Sequence, residues 1–136
     1  MDSDDVVAGT NATATQYNNL RKDMFMGKRL SGTETDGATI TIDWSDTTKG
    51  VIRKITLGGN RTIAFTNPVL DQSIVVRVAQ DGTGGRTATW PGNITWPGGA
   101  APTLSSAANK IDMFLFTCTN ASTPTFDAAI VTMGNS

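Results

Sequence analysis

The sequence predicts a mainly β domain, an antiparallel β-sandwich or barrel of jelly-roll type with about seven short strands, preceded by one short amphipathic helix. Three observations carry this. The hydrophobic period changes from about 3.6 to 2 near residue 30. The chain holds 22 threonines among 136 residues, which suits a pleated, half-buried surface. Turn residues recur roughly every eight to twelve positions from there to the end.

The helix comes first. Thr13 and Gln16 have the spacing of a capping box, and Tyr17, Leu20 and Met24 follow at i, i+3 and i+7 with polar residues between them. The helix is expected over residues 14 to 25, with Gly27 as its stop and Arg21, Lys22, Lys28 and Arg29 near its negative end. A helix of about twelve residues is marginal alone, so Tyr17, Leu20, Met24 and Phe25 need a surface: the chain's own sheet or copies of themselves around an axis. Residues 1–30 therefore read as an arm and helix for attachment or oligomerisation, and residues 31–136 as the β domain.

The strands follow from alternation. Ala38, Ile40, Ile42 and Trp44 alternate with Thr39, Thr41 and Asp43. Val51, Arg53, Ile55 and Leu57 form the next strand, and Gly58-Gly59-Asn60 reads as a hairpin turn into residues 62–66. Ile74, Val76 and Val78 make a further strand, and residues 81–85 (Asp-Gly-Thr-Gly-Gly) read as a hairpin turn into residues 86–90. Residues 111–118 are apolar at both odd and even positions, the pattern of a strand covered on both faces, and residues 125–133 give the last strand.

Composition narrows the chemistry. With no His, one Glu and one Cys, the chain lacks the central residue of the usual hydrolytic triads and of His-containing zinc sets. No enzyme activity, metal or cofactor is expected. Net charge is -1, which offers no general attraction to nucleic acid or to an anionic membrane. Cys118 lies in an apolar run and reads as a buried thiol. The acidic start, Met1 to Asp5, and the lack of a long apolar stretch predict no secretory or membrane-spanning segment.

Four features invite a functional reading. Residues 82–85 are glycine-rich, but no Lys-Ser/Thr ending and no helix follows, so a turn is favoured over a phosphate loop. Four Asn-x-Ser/Thr sequons, at Asn11, Asn60, Asn93 and Asn120, are what this much threonine produces by chance. Asp43 with Asp46, and Asp112 with Asp127, are the carboxylate pairs that a glycosidase reading would need, and neither has diagnostic spacing. Thr-Trp-Pro-Gly occurs twice, at residues 89–92 and 95–98, fixing two indoles on stiff backbone. Trp90, Trp96 and Trp44 are thus candidates either for packing or for stacking on sugar.

The stretch from Asp71 to Phe116, with residues 75–86, Trp90-Pro91, Trp96-Pro97-Gly98-Gly99, residues 101–104 and residues 109–114, resembles a module that recurs in virion structural proteins of tailed bacteriophages. Residues 17–23 resemble the short helical segment that begins many such chains. The resemblance implies a β-rich, commonly trimeric virion component without catalytic residues, made in the host cytoplasm and displayed on the particle. Its leading form is a homotrimeric capsid decoration, cement or head-fibre protein bound to the major capsid protein or other virion proteins. The alternative is a tail-fibre or baseplate module that recognises host surface glycans through the tryptophans.

Overall fold

The structure, a computed structural model, describes residues 31–135. The expected helix over residues 14–25, with Tyr17, Leu20, Met24 and Phe25, lies outside them. The described chain is mainly β, with nine strands: β1 (Ser31–Thr33), β2 (Thr39–Asp43), β3 (Ile52–Leu57), β4 (Arg61–Thr66), β5 (Ser73–Gln80), β6 (Ala88–Thr89), β7 (Ile94–Thr95), β8 (Ile111–Asn120) and β9 (Thr125–Asn135). All seven expected strands are present. The two additional ones, β1 and β7, have three and two residues, too short for alternation to register.

The topology corrects the antiparallel, jelly-roll expectation. One sheet has the order β1-β3-β5-β8-β9-β7 and the other β2-β4-β6, and the pairs β1/β3, β3/β5, β2/β4, β4/β6 and β7/β9 are parallel. Only β5/β8 and β8/β9 are antiparallel. From β1 to β6 the chain alternates between sheets, so each winding lays one strand in each. Ser31 pairs with Ile52 and Ile52 with Val75, so one winding takes 21 and then 23 residues. The turns at residues 58–60 and 81–85 are therefore not hairpins but crossings between sheets. A parallel pair cannot be closed by a tight turn, and here the strand in the opposite sheet serves as the crossover. The β8/β9 hairpin then ends the winding.

The core lies between the sheets. Ile40, Ile42 and Ile63 point inward from the three-stranded sheet, facing Ile55, Leu57, Ile74, Val76, Val78, Phe114, Phe116 and Phe126 from the other. In-register stacking sets the layers: Ile40 lies beside Ile63, Ile42 beside Phe65, Ile55 beside Val78, and Ile74 beside Phe116. The two outer faces differ. Thr39, Thr41, Thr62 and Thr89 stand exposed on the small sheet. On β8 the structure corrects the expectation of cover on both faces: Phe114, Phe116 and Cys118 are fully buried, whereas Ile111, Met113 and Leu115 are only half-buried.

Two buried polar clusters pin the ends of this core. Arg53, the inward residue that opens the alternation on β3, is 1% exposed and donates to Glu34 Oε2 at 3.0 Å, Gly50 O at 2.8 Å and Asp46 O at 3.1 Å. Glu34 also accepts from Lys49 Nζ at 2.9 Å. At the other end Gln80 donates to the carbonyls of Arg86 at 2.9 Å and Ser105 at 3.0 Å, and accepts from Arg86 N at 2.9 Å. Each side chain thereby satisfies the backbone of a loop that leaves the sheets.

Candidate functional site

The densest side-chain constellation is aromatic. Trp90 and Trp96 meet edge to face at 5.5 Å, and both pack on Phe114 and Phe116 from β8 at 5.4 to 5.8 Å. Phe65 joins Phe116 at 5.1 Å to Phe126, and Trp44 lies 4.9 Å from Phe126. Seven rings thus form one continuous cluster between the sheets, and most of the contacts are edge to face, an arrangement that the ring quadrupole favours. The sequence placed Trp44, Trp90 and Trp96 as packing or glycan candidates. The structure buries Trp44 (2% exposed) and Trp96 (8%), and leaves Trp90 half-buried with its ring against Trp96, Phe114 and Phe116.

Each Trp is held by local chemistry. Pro97 follows Trp96 and starts a short 3-10 turn at Pro97–Gly99, closed by Gly99 N donating to Trp96 O at 2.9 Å. Residues 93–95 lie along β9, with Phe126 N donating to Asn93 O at 3.1 Å, which fixes the loop between the two Trp-Pro steps. Trp44 O accepts from Gln72 Nε2 at 2.7 Å.

The glycine-rich turn is occupied by its own residues. Asp81 accepts from Thr83 N at 3.0 Å, Gly84 N at 2.9 Å and Arg86 Nη2 at 2.9 Å. The Arg86 guanidinium first, and then the backbone N–H groups of Gly84 and Thr83, hold its carboxyl pKa down at about 2. The backbone donors that a phosphate would need are thus already spent on a carboxylate. Gly84 is required here: its φ is +76°, and a Cβ would lie 2.5 Å from Ser106 O.

The carboxylate pairs also find local partners. The pKa of Asp43 is lowered chiefly by the Ser45 hydroxyl and then by Asn67, and that of Asp46 chiefly by Thr48, so the two shift in the same direction rather than apart. Asp112 is buried and accepts from Ser105 N at 2.7 Å, Ser105 Oγ at 2.8 Å and Gly134 N at 2.7 Å. Asp127 is exposed in the row Ser73, Thr117, Asp127 on the opposite face of the same sheet. The two do not face each other. Among the described residues no group of three or more His, Cys, Asp or Glu is placed to hold a metal. No helix among them is long and apolar enough to cross a membrane.

A cleft of about 270 Å³ opens beside the aromatic cluster, lined by residues 85–88, 102–104 and Ser106. Its polar groups are Arg86 and the hydroxyls of Thr87, Thr103 and Ser106; Ala88, Pro102 and Leu104 are its apolar wall. Single-residue reading missed this cleft because its two sides lie about fifteen positions apart and meet only in the fold, through Gly85 N donating to Ser106 O at 2.7 Å and the Gln80 bonds to Arg86 and Ser105.

A wound pair of sheets sealed by aromatic rings, with its polar loops tied to themselves, is the build of a structural module. Residues 44–119, more than half of the chain, match the family described as "Putative phage tail fibre C-terminal domain", and the chain belongs to that family. The match runs from Trp44 to Thr119 and so takes in both Trp-Pro steps, the glycine-rich turn and nearly all of β8. No curated protein and no solved structure matches the chain. The family makes this a phage structural protein and a component of the virion, and it supports the tail-fibre reading above the capsid-decoration one.

Proposed function

We propose that the chain is a homotrimeric structural module of a phage tail fibre that joins other virion proteins and presents a surface to host glycans. The observation that carries the reading is the family match over residues 44–119, which coincides with the aromatic-sealed part of the fold. The winding suits a fibre: each turn adds a strand to both sheets through main-chain bonds, so mechanical load along the stack is shared by ladders rather than by single contacts. Glycan contact is assigned to the cleft rather than to the tryptophans. Thr87, Thr103, Ser106 and Arg86 supply hydrogen-bonding groups beside the apolar wall of Pro102 and Leu104, and the cleft has room for one sugar unit.

Two measurements test this. Mass spectrometry of purified particles should find the chain, and its absence would reject the virion role. Purified chain added to host cells before infection should slow phage adsorption, and Thr103→Trp, which fills the cleft, should remove that competition while leaving the far-UV circular dichroism unchanged. Equal competition by wild type and Thr103→Trp would reject the cleft as the contact.

A further inference from the structure

The alternation on β8 is apolar at every position from Ile111 to Phe116 except Asp112, yet among the described residues only the inner set is fully buried, and Ile111, Met113 and Leu115 are half-buried. The outer set continues across the sheet in register. Ile52, Val75, Leu115 and Ala129 form one row over four adjacent strands, and Met113 stands beside Arg77 and Ile111 beside Ala79 in the next rows. The small sheet's outer face, by contrast, is threonine-rich, the composition of a solvated surface.

The strand β9 extends this surface. Its outer edge, among the described residues, is paired only at Phe126 and Asp127. Residues 128–135 contain no charge and no proline, and Val131 is 54% exposed. Natural sheets protect such an edge with charges, prolines or bulges, and residues 128–135 hold neither of the first two. The register shift between Met113 and Phe114 bulges β9 near Val131, which disfavours extension of the ladder and favours side-chain packing.

Size and charge indicate the occupant. Four strands about 4.8 Å apart and about eight residues long present roughly 500 Å² of flat sheet, which with side-chain relief approaches the roughly 800 Å² that each partner gives to a standard interface. Lys54 and Arg77 are register neighbours on this face, and Asp127 stands on the row at its other side. None of the three is in an ion pair among the described residues. With the cations on one side of the apolar row and the anion on the other, the Asp127 side of one copy can meet the Lys54 and Arg77 side of the next, the head-to-tail contact that closes a ring of three.

We propose that the outer face of the six-stranded sheet, centred on Val75, Leu115 and Ala129, is the surface through which copies of this chain meet. The placement rests on the homotrimer reading and names its interface. Light scattering on the full chain should give a trimer for wild type and for Thr41→Glu, a control on the threonine-rich face. Leu115→Glu should reduce the mass threefold. Should that variant misfold, Ala129→Cys on the otherwise wild-type chain gives a second readout, an introduced thiol that resists labelling in the trimer and labels once the trimer is dissociated. A trimer with neither effect would overturn the placement and leave the trimer standing. A monomeric wild type would overturn the homotrimer itself, and an Ala129→Cys monomer whose introduced thiol resists labelling would assign the face to the chain's own residues 1–30.

Discussion

The buried ion pair Glu34–Arg53 makes the sharpest energetic prediction. Both side chains are 2% exposed, 3.0 Å apart, and Arg53 donates further N–H groups to Gly50 O and Asp46 O. Glu34→Ala removes the anion and leaves the guanidinium inside the fold with only two carbonyls. Breaking a buried pair from one side costs about 3 to 5 kcal/mol, because the surviving charge stays desolvated. For a domain of this size that lowers Tm by roughly 10 to 20 °C. Urea unfolding followed by tryptophan fluorescence measures it. Lys49→Ala should cost about 1 kcal/mol or less, since Lys49 is 30% exposed and screened. The double variant Glu34→Leu/Arg53→Met should recover at least half of the single-variant loss, because it leaves no unpaired charge. A Glu34→Ala loss of about 1 kcal/mol or less, the worth of an exposed pair, would refute the claim that this cluster is desolvated.

Phe116→Ala removes a ring that touches Phe65, Trp90, Trp96 and Phe114, and should cost about 3 to 5 kcal/mol in denaturant unfolding. Gly84→Ala places a Cβ against Ser106 O at positive φ and should cost about 1 to 3 kcal/mol, while Gly82→Ala, with open space around it, should stay within about 0.5 kcal/mol in the same assay. Asp81 titrates at about 2 in the folded chain against an ordinary value of 3.8, so its contribution is full above about pH 4 and is lost as pH falls toward 2. Melting curves across that window should show Asp81→Asn with a shallower decline than wild type, and parallel declines would remove Asp81 as a contributor.

The strands were legible because alternation reports which residues face inward, and Ile40, Ile42, Ile63, Ile74, Val76 and Val78 are all inside. Pairing direction was not, since an alternating strand looks the same whether its neighbour runs parallel or antiparallel. A longer-range signal existed. Thr39-Ile40-Thr41-Ile42 recurs as Thr62-Ile63-Ala64-Phe65 at the offset that the register uses, and Ile52, Lys54 and Ile55 recur in kind as Val75, Arg77 and Val78. At the candidate sites, glycine spacing located the turn at residues 81–85, but its occupation by Asp81 depends on side-chain direction. The Glu34–Arg53 pair joins residues from different windings, which no local window contains. The excess of apolar residues on β8 was visible, but that its outer set is only half-buried needed the sheet.

The central claim, that this chain is a tail-fibre component, is tested most directly by cryo-electron microscopy of particles labelled with gold-conjugated antibody against residues 31–135. Label along or at the tips of the tail fibres is the result expected, in groups consistent with three copies per fibre. Label on the capsid shell with bare fibres would contradict that claim and restore the decoration role.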